Sequence, residues 1–172
     1  MIKRKELVDY ANSIKQRAYQ CTKHNKNYIY LEAINALCQC GFAIRANKKP
    51  NIEAFKLSEK AFDAMYQFGY EQFLKDTVES NLAICYINLL AYGEMNNITI
   101  AFNSIKPISF YKIMNSTMPV ILINQFELGN NYKCVNRVLF QLECLAIEWN
   151  IDLHYFIEKT LDNMEYNFKN RI

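Results

Sequence analysis

Apolar residues recur at steps of three and four along most of the chain, with polar residues on the opposite side of each turn. Leu7, Tyr10, Ala11, Ile14, Ala18 and Cys21 form one such stripe, predicting a helix over 4–24 that stops at the polar run HNKN. A second helix is predicted over 28–47. Leu31, Ile34, Leu37, Cys38, Gly41, Phe42 and Ile44 make it apolar or small over more than one face, which implies a central position, with Gly41 read as a point of close packing. Asn51 is placed to cap a shorter amphipathic helix over 52–66, which carries Phe55, Leu57, Ala61, Phe62 and Met65, and Gly69 reads as the following stop. The broadest stripe is Phe73, Leu74, Val78, Leu82, Cys85, Tyr86, Leu89, Leu90 and Tyr92, predicting the central helix over 71–96.

Regularity then falls away. Residues 98–116 combine β-branched positions, Ser, Asn and Pro107, and read as an extended link with a short helix near 109–114. Residues 120–128 are apolar after Pro119 and closed by Gly129. Two further helices are predicted over 132–149 and 153–170, the second capped by Asp152, and their short link makes them an antiparallel hairpin. The segments LLAYGEMNNIT and LECLAIEWNID align without gaps and share an Asn-Ile step, an echo that two unrelated core helices also explain.

Composition agrees with this pattern. At 172 residues the chain is long enough for one domain with a real core, and 51% apolar content argues against disorder. With 4 Gly and 3 Pro it lacks the turn residues an all-β fold needs. The fold expected is therefore an all-α antiparallel bundle of about five to seven helices in a single domain.

The net charge of +3 comes from interspersed residues, and the basic start MIKRKE is too short for a nucleic-acid patch. The charged N-terminus and the lack of an apolar run of roughly 20 residues point to a cytoplasmic chain without a leader or membrane span. Six cysteines lie mostly in apolar runs and read as reduced thiols. Cys38 and Cys40 have no second pair at zinc spacing, and His24 and His154 lie far off in sequence. No phosphate-binding glycine loop, nucleophile elbow or His-Glu-x-x-His motif occurs.

Three segments together resemble the all-α nucleoside triphosphate pyrophosphohydrolases, the MazG-like group related to dimeric dUTPases. FLKDTVESNLAICYINLLAYGEMNNI, beginning at Phe73, resembles the family's third helix. ALCQCGFAIRANKKPNIEAF, beginning at Ala36, stands where the family has its E-x-x-E helix and basic follow-on. NIDLHYFIEKTLDNMEYNFKNR, beginning at Asn150, is similar to its closing motif. The segment 101–133 would be an insertion.

The resemblance implies four carboxylates, two on each of two facing helices, that hold Mg²⁺ against a triphosphate. Carried over, those positions are Cys38 and Gly41 on one helix and Asn81 and Ile84 on the other, none of them an acid. It also implies weaker nucleotide contacts at Tyr166, Asn167 and Lys169, with Lys48 and Lys49 able to meet phosphates, and a homodimer in which some of the many aromatics pack an interface. The only carboxylate pairs at plus three are Glu6–Asp9, Asp76–Glu79 and Asp162–Glu165, which read as solvated or dipole-matched residues.

The leading expectation is a degenerate relative, a binding or scaffolding protein with no metal cofactor. One alternative is an active Mg²⁺-dependent enzyme in which Asp76, Glu79, Glu127 and Glu143 converge. Another is a helical interaction module unrelated to nucleotides.

Overall fold

A computed structural model describes residues 4–22, 26–60, 63–102 and 131–169. It is an all-α bundle. Seven α-helices are described: α1 (Arg4–Cys21), α2 (Lys26–Arg45), α3 (Ile52–Glu59), α4 (Asp63–Gly69), α5 (Val78–Met95), α6 (Asn131–Glu148) and α7 (Leu153–Lys169). A π-helical segment (Tyr70–Leu74) continues α4, and there are no strands among the described residues. The helices expected near 109–114 and 120–128, most of the segment 101–133, and Glu127 lie outside the described residues, as do His24 and Arg171.

The bundle is built around α5. From Val78 to Gly93 every residue except Glu79 and Ile84 is buried, so this helix has no solvent face and packs against α1, α2, α6 and α7. A helix apolar on all sides is driven inward because each methylene removed from water gains about 0.8 kcal/mol. Leu82, Ile87 and Leu90 are fully enclosed, among partners that include Phe55, Val138 and Ile157 of the same core.

The single helix expected over 71–96 is broken. The π segment ends at Leu74, Asp76 takes a left-handed φ of 60°, and α5 starts afresh after Thr77. Thr77 causes the restart. Its Oγ1 accepts from the Ser80 N–H at 3.2 Å and donates to the Leu74 carbonyl at 2.7 Å, while Ser80 Oγ accepts from the Thr77 N–H at 3.1 Å. This capping box satisfies both helix ends in a spot with no access to water.

The helix expected over 52–66 also divides, into α3 and α4. Asn51 does cap α3, its Oδ1 accepting from the Ala54 N–H at 3.1 Å. Gly69 is no stop. It has helical torsions (φ −61°, ψ −43°), and a Cβ there would sit 1.9 Å from Ser58 Oγ, so its role is to let α3 and α4 touch. Gly41, read as a close-packing residue, faces open space instead.

Three helices end alike. Asn47, Asn97 and Asn150 have φ between 50° and 54°, and the next N–H reaches back five residues: Lys48 to Ala43, Ile98 to Gly93 and Ile151 to Ala146. This is a Schellman cap with Asn in the left-handed position. It accounts for the Asn-Ile echo without any duplication. After α5 the chain is extended, with Ile98, Ile100 and Phe102 buried. Asn136 of α6 clamps it, donating to the Thr99 carbonyl and accepting from the Ala101 N–H.

Candidate functional site

The break before α5 opens a groove. Between α2 and the first turns of α5 lies a cavity of about 570 Å³, lined on the α2 side by Glu32, Asn35, Gln39, Phe42 and Ala46 and on the α5 side by Asn81 and Ile84. Lys75 and Asp76 of the break, and Lys48 beyond α2, close one end. A second cavity of about 330 Å³ shares Glu32, Lys75, Asp76 and Ile84 with the first and continues toward α7, where Thr160, Asn163, Met164 and Asn167 form its wall. The two make one groove crossing α2, α5 and α7.

Of the four positions carried over from the family resemblance, the groove brings together Asn81 and Ile84 only. Cys38 is exposed, and neither Cys38 nor Gly41 lines the groove. At about 100° per residue, these two are turned roughly 100° and 160° away from groove-facing Gln39. The α2 positions that oppose Asn81 are Glu32, Asn35 and Gln39, so one acid, Glu32, faces the groove from that helix.

The other anticipated residues separate. Lys48 lines the groove and pairs with Asp76 at 3.6 Å. Asn167 lines it too, its Oδ1 accepting from Gln67 Nε2 at 2.9 Å. Lys49 and Tyr166 do not line it, and Lys169 is exposed beside a separate shallow cavity near Gln20 and Glu165. Lys75 is held by Glu71 at 2.5 Å, and that bond raises its pKa. Each of the two lysines at the groove thus has a carboxylate partner.

Two amides of the groove wall stand out, Asn81 where the resemblance calls for an acid and Asn163 on α7. Asn81 is 4% exposed and Asn163 is 7% exposed; Nδ2 of the first and Oδ1 of the second are buried without a hydrogen-bond partner among the described residues. Native interiors rarely leave such groups unpaired, because each costs about 1–3 kcal/mol.

Asp76, Glu79 and Glu143 do not converge. Asp76 is at the groove, Glu79 begins α5 with Oε2 buried and unpartnered, and Glu143 is committed elsewhere. Glu143, on α6, is buried and hydrogen-bonds to His154 Nε2 at 3.0 and 3.2 Å. The Tyr10 ring stacks on His154 at 3.8 Å, and its hydroxyl donates to Glu158 at 3.2 Å. Burial works against a proton on His154, but the Glu143 hydrogen bond and charge outweigh it, so its pKa is raised. Among the described residues, no group of three His, Cys, Asp or Glu side chains is placed to hold a metal ion.

The described cysteines are free. Burial pushes the Cys40 thiol up to about 12, and Cys85, fully enclosed, well above its ordinary value, so both behave as apolar core groups. No helix among the described residues is long and apolar enough to cross a membrane.

Comparison of the chain with protein-family models, with curated proteins and with solved structures finds no match. The class defined by fold and site together is thus an all-α bundle with a polar groove at a broken central helix.

Proposed function

We propose that the protein is a non-catalytic binding protein: a degenerate relative of the MazG-like pyrophosphohydrolases that takes a polar small molecule into the α2–α5–α7 groove. The observation that carries this reading is the chemistry of the groove wall. Asn81 and Ile84 stand on α5 where the family resemblance calls for acids, and Glu32 is the one acid opposite them on α2. A hard divalent cation bridging phosphates requires several carboxylate oxygens converging on it, and a neutral amide beside an isoleucine provides no such charge. Incubation with a panel of dNTPs and NTPs in Mg²⁺ or Mn²⁺ is expected to release no pyrophosphate above the buffer rate. Turnover abolished by EDTA would overturn the reading.

A specific observation favours a second role, as an interaction module. Leu31, Cys38 and Phe42 lie within about 40° of one another on α2 and are all exposed, with Phe42 more than half exposed beneath the Arg45 guanidinium. We propose a second copy of the chain as the partner that covers this stripe, whose Phe42 also lines the groove.

A further inference from the structure

We infer that the ligand of the groove is a linear organic amine, held by Glu32 and by the buried amides of Asn81 and Asn163. This rests on the groove being a binding site and adds the class of molecule it takes.

The first argument is charge. Glu32 borders both cavities, is partly buried, and has no ion pair or hydrogen bond among the described residues. The lysines nearby already have acidic partners, Lys75 in a hydrogen-bonded pair with Glu71 and Lys48 beside Asp76 at 3.6 Å. A phosphate entering would meet an unpaired carboxylate and lysines already paired with acids. An ammonium group would be attracted by that same carboxylate, on a protein whose overall charge of +3 gives it no general affinity for cations. The attraction is therefore local to this groove.

The second argument is hydrogen bonding. An ammonium carries only donors, and the unpartnered Asn163 Oδ1 is an acceptor on the α7 side. On the α5 wall the Asn81 Nδ2 is buried without a partner among the described residues, and a half-turn about χ2 exchanges it for the carbonyl oxygen, an acceptor for the same ligand. The two amides stand in different cavities with Glu32 at the junction, which gives acceptors at both ends and a charge between them.

The third argument is shape. The α2 wall runs from Glu32 to Ala46, about 20 Å at 1.5 Å per residue. Ile84, common to both cavities, supplies an apolar surface for methylene groups. A compact heterocycle would fill a fraction of this length, whereas a chain of amines joined by methylenes matches its alternation of polar and apolar wall.

The test is isothermal titration calorimetry at physiological salt with spermidine and 1,4-diaminobutane, beside dATP and adenosine. The amines are expected to bind and the nucleotide not. Glu32→Gln is expected to weaken spermidine about tenfold or more, and Asn163→Leu to weaken it as well. Glu53→Gln, an exposed carboxylate of α3 paired with Lys56, controls for surface attraction and is expected to change nothing. Circular dichroism of each variant confirms that it folds. Spermidine affinity unchanged in Glu32→Gln, or lost equally in Glu53→Gln, overturns the inference. Binding of adenosine or dATP without the amines overturns it too, yet leaves the groove as a binding site. No binding by any probe overturns both.

Discussion

At the scale of single residues, two of the described helical glycines, Gly69 and Gly41, have opposite meanings. Gly69 lies against Ser58, and an added methyl would come within 2.8 Å of the Ser58 Cβ, which cannot rotate away. Gly69→Ala is expected to destabilise by about 1–3 kcal/mol through overpacking. Gly41 has nothing within 4 Å of the added atom, so Gly41→Ala is expected to stabilise by up to about 1 kcal/mol through helix propensity alone. Urea denaturation of both variants checks the pair of signs. Neither sign was legible in the sequence, where both glycines sit in similar apolar runs; the difference is made by α3, which folds back onto one and not the other.

His154 is a second residue whose role came only with tertiary structure. Glu143 and His154 are on separate helices, and nothing in their spacing couples them. The folded pKa of His154 is raised, so the pair's contribution to stability is fully present below the unfolded value of about 6.5 and is lost as pH rises through the folded value. With the ring 37% exposed, solvent screening limits the effect to about 0.5 kcal/mol. Unfolding of the wild type and of His154→Gln across pH 5.5 to 8.5 is expected to show a stability advantage that shrinks toward the alkaline end. A gap that widens with pH would contradict the assignment. Other groups near the ring (Asp152, Glu158 and Tyr10) are unaltered in the variant and cancel in the difference.

At the scale of elements, helix identity was legible and helix continuity was not. The threefold and fourfold steps placed α1, α2, α6 and α7 within a few residues of their observed bounds, because each buries one continuous face. The α4–π–α5 region defeated the same reasoning: the stripe from Phe73 to Tyr92 continues across the break, since both sides face the same core. What interrupts it is Thr77 with Ser80, a cap whose acceptor at the third position is a hydroxyl rather than the more familiar carboxylate. The Asp162–Glu165 pair, read as solvated, likewise has a structural partner. Arg17 of α1 reaches Glu158, Asp162 and Glu165, three positions on one face of α7. Burial works against the arginine's charge, but the hydrogen bonds to Glu165 and Asp162 prevail and hold its pKa above the ordinary value. Arg17→Met would leave three carboxylates repelling one another, and is expected to destabilise by about 1–2 kcal/mol, given their partial exposure. Urea denaturation at low and high salt checks this, and the deficit should narrow in high salt, which screens both the lost attraction and the new repulsion.

At the scale of the whole molecule, half of the candidate site could be read from the sequence. Asn81 and Ile84 entered through the family resemblance, and both line the groove. Their opposite wall was misjudged because α2 is apolar on several sides, and only the observed rotation distinguishes Gln39, which faces the groove, from Cys38, which does not. The same rotation turns Leu31, Cys38 and Phe42 outward, where an isolated chain gains nothing from them. Pairing two copies through this stripe would bury apolar area at roughly 25 cal/mol per Å² while leaving the groove mouth at its edge. Light scattering at tens of micromolar is therefore expected to give twice the chain mass of 20.3 kDa. The double variant Leu31→Glu with Phe42→Glu should return the single mass with an unchanged helical spectrum, because both side chains are exposed and are not part of the bundle's core. A monomeric wild type, or a dimer indifferent to both charges, would move the interface elsewhere and leave the groove to act within one chain.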